Sequence, residues 1–130
     1  MYSKITDSIR VTVETQFLED QSESDEDHYV WAYHVSIENL GLMSVQLKTR
    51  HWEITDGNGQ VHKVYGDGVV GEQPTLDAGD IFEYTSGVPL TTPSGIMTGY
   101  YQMTTDLGDN IQVDIPAFSL DSPYDLKSIH

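Results

Sequence analysis

The sequence predicts an all-β protein: an immunoglobulin- or fibronectin-III-like two-sheet β-sandwich of about seven or eight short strands, with a small barrel as the alternative. Three observations point there. Long stretches alternate apolar and polar residues with a period of two. The turn signals DGNG, DAGD and LGDN separate those stretches. No stretch of 11 or more residues places apolar side chains at helical spacing, so almost no helix is expected.

The elements follow in order. In IRVTVETQFL, Ile9, Val11, Val13 and Phe17 share one parity and Arg10, Thr12, Glu14 and Gln16 the other. EDQSESDED, at 19–27, holds six acids in nine residues and is expected to be a mobile, solvated loop. HYVWAYHVSIEN puts Tyr29, Trp31, Tyr33, Val35 and Ile37 on one face, and aromatic and β-branched residues suit a pleated surface. SVQLKTRHWEITD changes parity, because Val45 and Leu47 are odd while Trp52 and Ile54 are even. One strand cannot bury both sets without a slip, so a β-bulge or bend is predicted between Lys48 and His51. DGNG then turns the chain into QVHKVYG as a hairpin partner. IFEYTS, GIMTGYYQMTTD and NIQVDIPAF supply three more strands, the last two joined by LGDN. The eighteen residues from Tyr84 to Tyr101 are rich in Gly, Pro, Thr and Tyr; an inward face of Met97, Gly99, Tyr101 and Met103 is expected, with an exposed aromatic and hydroxyl surface as the alternative. The expected organisation is one domain over 1–130, with a core about 9–120 and a tail, 121–130, that frays.

Composition limits the function classes. The chain has 130 residues and a formal charge of −15, with six Lys+Arg against 21 Asp+Glu. That field repels phosphate backbones and anionic lipid, so neither nucleic acid nor membrane is an expected partner. Cysteine is absent, which excludes disulfides and thiolate chemistry and fits a reducing compartment. MYSKITDSIR has no apolar stretch to serve as a signal peptide, so the expected location is the cytoplasm.

GDGVVG, at 66–71, matches the glycine pattern of dinucleotide-binding turns. Such a turn needs a helix opening within the glycines, whose free N–H groups hold the pyrophosphate. Here β-branched Val69 and Val70 are followed by Pro74 and Gly79, and Asp67 puts a carboxylate where phosphate would lie. The expectation is therefore that Gly66, Gly68 and Gly71 turn the chain in an irregular connection between strands. Gly66, Asp67, Gly68 and Gly71 remain the candidate ligand loop if the segment does bind.

Other constellations are weaker. His28, His34, His51 and His62 have no metal-ligand spacing. Arg50-His51-Trp52 sets a cation beside a large aromatic, and with Glu72 and Gln73 it gives a candidate interaction surface of Arg50, His51, Glu72 and Gln73. Trp52 is expected to be the core tryptophan of a sandwich strand, and Arg50 is either a recognition residue or the partner of an acid. The acidic loop lacks the sixth-position glycine of a calcium loop, which leaves weak divalent-cation association and no defined metal site. No catalytic residue, nucleophile elbow or P-loop lysine stands out, and no cofactor is expected.

RHWEITDGNG, GDGVVGEQPTLDAGDIFEYTSG, TPSGIMTGYYQM and IPAFSL resemble the bacterial ApaG family, over roughly Val11 to Pro123. The resemblance implies a fibronectin-III-like sandwich. It implies a domain also appended to eukaryotic F-box and polymerase-δ-interacting proteins as a protein-interaction module. It carries an association with cobalt resistance and magnesium efflux, and a suggestion of pyrophosphate binding at the residues matching Gly66, Gly68 and Gly71. The expected function is a non-enzymatic domain that binds another protein of unknown identity. The alternative is a sensor of a divalent cation or nucleotide pyrophosphate near Gly66 to Gly71, with phosphoanhydride hydrolysis third. An exposed edge strand leaves a homodimer open, and charge at the edges works against it.

Overall fold

The computed structural model describes residues 1–124. Among them are nine strands: β1 (Tyr2–Thr6), β2 (Ile9–Phe17), β3 (Tyr29–Asn39), β4 (Val45–Asp56), β5 (Val61–Asp67), β6 (Thr75–Leu76), β7 (Ile81–Leu90), β8 (Gly95–Thr105) and β9 (Asn110–Leu120). They form two antiparallel sheets, ordered β1-β2-β3-β7 and β5-β4-β8-β9, with β6 paired on β4. The sheets face each other as a sandwich, as the alternation predicts. Among the described residues, helical structure is limited to two three-residue 3-10 turns, and no helix is long and apolar enough to cross a membrane.

The buried set is the one the parity selects. Ile9, Val11 and Val13 of β2 and Tyr29, Trp31, Tyr33, Val35 and Ile37 of β3 face Leu47, Trp52, Met97, Tyr101, Met103, Val113 and Phe118 across the sandwich. Trp52 lies edge-on to Tyr33 and Phe118, with ring centroids 5.4 and 5.9 Å apart. It is a core tryptophan, and Met97, Tyr101 and Met103 take the inward reading of β8.

Several expectations shift. Nine strands are present where seven segments were expected by name, and the two additional ones are β1 and β6. β1 is mostly polar and escapes an alternation search, yet Asp7 (φ 48°) and Ser8 (φ 67°) form a two-residue turn of the kind that matches strand twist. β1 then closes the sandwich against β9, with Lys4 paired to Asp114 at 3.1 Å and Tyr2 bonded to Ser119 at 2.9 Å. The bulge in β4 falls at Lys48, between Leu47 and Thr49, at the N-terminal limit of the predicted interval. The acidic loop is solvated but folded. Its 3-10 turns, Glu19–Gln21 and Ser24–Glu26, are closed by paired main-chain bonds between Glu23 and His28, and the Ser22 hydroxyl bridges Leu18 and Val30. Within the tail expected to fray, Asp121 accepts the Trp31 indole N–H at 2.8 Å, and Tyr124 packs on Phe17 and Tyr29. The remainder of that tail, 125–130, lies outside the described residues.

One buried polar residue ties the loops at the end of the sandwich where β3 leaves. The Asn39 amide donates to the carbonyls of Met43 (2.8 Å) and Leu76 (3.0 Å), and its oxygen accepts Gly41 N–H at 3.0 Å. Asn39→Ala leaves buried main-chain groups without partners, so a loss of about 3 kcal/mol is expected in urea unfolding. A loss below about 1 kcal/mol would show that water replaces the amide.

Candidate functional site

The glycine segment and the β4 bulge are one feature. β5 and β6 lie end to end along the same edge of β4, pairing with Thr49–Thr55 and Val45–Gln46. The connection between them, from Gly68 to Pro74, passes the bulged residue. The Lys48 carbonyl accepts Gly68 N–H at 2.8 Å and the Gln73 side-chain amide at 2.9 Å, and Leu47 N–H reaches the Pro74 carbonyl at 3.0 Å. Val69 and Glu72 exchange both main-chain bonds, at 2.8 and 2.9 Å, forming a tight turn. Gly66 and Asp67 are the last residues of β5 rather than part of an irregular connection. No helix opens at Val69 or Val70. The amides of Gly68, Val69 and Glu72 are engaged within the chain, so the segment presents no row of free helical amides to an anion.

Arg50 completes this arrangement. Past the bulge, even-numbered residues of β4 turn inward, so Arg50 points the same way as Trp52. Its Nη1 donates to the carbonyls of Asp67 and Gly68, both at 2.9 Å. A Cβ at Gly66 would stand 2.6–2.8 Å from three guanidinium atoms, so the guanidinium lies across that glycine. The cation holds carbonyls and, among the described residues, no carboxylate. Arg50→Met keeps the apolar stem and removes both bonds. It is expected to cost about 1–2 kcal/mol and to speed amide exchange at Gly68 and Val69. Unchanged exchange there would contradict the clamp.

Beneath Arg50 lie three tyrosines. The hydroxyls of Tyr84 and Tyr101 are 2.5 Å apart. Burial pushes the Tyr33, Tyr84 and Tyr101 phenols up, and for all three the Arg50 guanidinium pulls weakly the other way. A phenol with a raised folded-state pKa holds its proton more tightly in the native protein. Its contribution is present below the unfolded value near 10 and is lost as pH rises above it. The urea midpoint is therefore expected to fall from pH 10 upward, and less steeply in Tyr101→Phe. A midpoint that stays flat to about pH 11.5 would contradict this assignment.

The outer face of the β5-β4-β8-β9 sheet carries a different surface. Tyr65, His51, Tyr100 and Asp114 stand opposite one another across four strands. His51 stacks on Tyr100 at 4.3 Å with 13° between the rings, and meets Tyr65 edge-on at 4.7 Å. Thr49 Oγ1 fixes His51 through Nε2 at 3.1 Å. Tyr65 is 66% exposed. These rings border a groove of about 650 Å³, with Lys63 and Glu53 on one side and Lys4 and Asp114 on the other. Gly99 forms part of its floor, where β8 carries a second bulge between Met97 and Gly99.

The four residues expected to share an interaction surface do not. Neighbours on a strand point to opposite faces, so Arg50 turns inward while His51 joins the groove. Glu72 and Gln73 are exposed on the glycine connection, and Gln73 is engaged with Lys48. Tyr65 and Tyr100, which complete the groove, were missed, because only strand register sets them beside His51. Among the other histidines, His34 bonds Thr85 (2.8 Å) and Glu83 (3.2 Å), and His62 lies 3.7 Å from Asp56. Among the described residues, no three His, Asp or Glu side chains converge as a metal site.

Residues 19–105 match the ApaG domain family. The chain is 60% identical to the ApaG protein of Parvibaculum lavamentivorans over the whole of both chains. It is 60% identical to that of Rhodospirillum centenum, over 95% of each. A crystal structure from Bordetella pertussis, named as an ApaA protein, superposes with a TM-score of 0.86 at 44% identity, covering 89% of this chain and 94% of that one.

Proposed function

The chain belongs to the ApaG family, and from that premise we propose that it is a non-enzymatic protein-interaction domain whose contact surface is the groove around His51, Tyr65 and Tyr100. One observation carries this reading: a ladder of three rings in contact across the sheet, with His51 stacked on Tyr100 and edge-on to an exposed Tyr65, flanked by charges of both signs. Tyrosine offers large contact area with few rotatable bonds, and such residues dominate binding hot spots. The groove is built on strands of the sheet rather than on loops, so little ordering entropy is lost on contact. In this reading the family's association with cobalt and magnesium acts through a bound protein.

A photo-crosslinking residue placed at Tyr65 tests the proposal in cells, with the same residue at Glu14 of β2, on the opposite sheet, as reference. Crosslinking to one defined protein from position 65, absent from position 14 and lost in Tyr100→Ala, is the expected result. Equal crosslinking from both positions, or none from position 65, would refute it.

A further inference from the structure

A second surface lies at the end of the sandwich away from the acidic loop, built from three segments that register brings together. These are the β1–β2 turn at Asp7 and Ser8, the β3–β4 loop from Leu40 to Ser44, and the β8–β9 turn from Asp106 to Asp109. Asp106 N–H donates to the Ser44 carbonyl at 3.0 Å, which fastens the turn to the loop. Leu42 is 95% exposed and Leu107 75%, with Leu40 and Met43 each more than two-fifths exposed. Exposed leucines on loop tips fastened at both ends are unusual, because nothing in the fold requires them. Beside them opens a groove of about 600 Å³. Its floor is Ile9, Val45 and Ile111, and Leu40 and Met43 form one wall.

The rim has one sign of charge. Asp7 and Asp109 line the groove, Asp106 adjoins Leu107, and Asp77 accepts the Ser44 hydroxyl at 2.6 Å. The stretches Thr6–Ile9, Asn39–Val45 and Thr105–Ile111 contain no lysine or arginine. An apolar cleft ringed by carboxylates complements an apolar anchor flanked by cations. We infer that this end of the sandwich binds a basic segment of a partner protein, which inserts a large aliphatic side chain over Ile9, Val45 and Ile111 and sets lysine or arginine against Asp7, Asp106 and Asp109. The surface is separate from the aromatic groove, so either assignment stands or fails alone.

The probe is a short amidated peptide with a leucine pair flanked on both sides by lysines, titrated into the full ¹⁵N-labelled chain. Saturable amide shifts over 40–44 and 105–111 are expected. Affinity is expected to fall about tenfold on raising salt from low to physiological strength. It should fall similarly in Asp7→Asn/Asp109→Asn and in Leu42→Ser, which lie on exposed positions and leave the core intact. A control peptide with serine for leucine should not saturate. Shifts centred on 19–27, equal binding of the serine peptide, or no saturation would overturn the inference. So would concentration-dependent self-association that Leu42→Ser abolishes, since a second copy would then be the occupant.

Discussion

Gly68→Val is expected to lower stability by about 4 kcal/mol, enough to threaten a domain of ordinary stability. Gly68 has φ +62°, a conformation that costs a side chain about 1–2 kcal/mol and a β-branched one more. A Cβ there would come within 2.2 Å of the Glu72 carbonyl oxygen and 2.9 Å of its carbon. Both contacts are main chain, so no side-chain rotation relieves them. The turn must open, which breaks the paired bonds between Val69 and Glu72, each contributing about 1 kcal/mol. Val69, fully buried, would lose its packing with it. Urea unfolding reads the loss as a lower midpoint at unchanged slope. A change under about 1 kcal/mol would show that the segment is loose and that its glycine serves something other than the turn.

Gly99→Ala is expected to be of similar severity for a different reason. Gly99 sits in β8, between β4 and β9, opposite Trp52 and Ile115. An added Cβ would stand 2.0 Å from the His51 carbonyl oxygen and 3.2 Å from the Trp52 ring. β4 and β8 would have to part at the centre of the sheet, breaking ladder bonds and the packing of a buried tryptophan, for a total of about 4 kcal/mol. The methyl group would also displace His51 relative to Tyr100. The variant should therefore lose the ring-current shifts of that stacked pair before it unfolds. Native-like stability with an intact His51–Tyr100 signature would contradict the close approach.

Where the sequence was legible, one physical signal decided the outcome. The period-two alternation of β2 and β3 maps directly onto their buried residues, because each has one face in the core. The parity change in SVQLKTRHWEITD placed a bulge between Lys48 and His51, and it lies at Lys48, the limit of that interval, since a strand cannot bury both parities otherwise. β1 left no such signal, as only a short polar strand and a two-residue turn were needed to cover an edge. The folding of the acidic loop depends on the Ser22 hydroxyl and the Glu23–His28 bridge, pairings that composition does not encode. The candidate site was half visible. His51 was singled out, but its partners Tyr65 and Tyr100 lie 14 and 49 residues further along the chain and meet it only through strand register. Arg50 and His51 read as one patch because they are adjacent, and the pleat separates them.

The claim on which the functional reading rests is that the triple-glycine segment is closed by main-chain bonds and an arginine clamp, leaving the aromatic groove as the contact surface. Amide shift mapping of the full chain with magnesium and a dinucleotide polyphosphate tests it most directly. Small, unsaturating shifts spread over the acidic residues, with the amides of Gly68 to Glu72 unmoved, are the predicted result. Saturable shifts concentrated on Gly66 to Gly71 would contradict it and make that segment the ligand site.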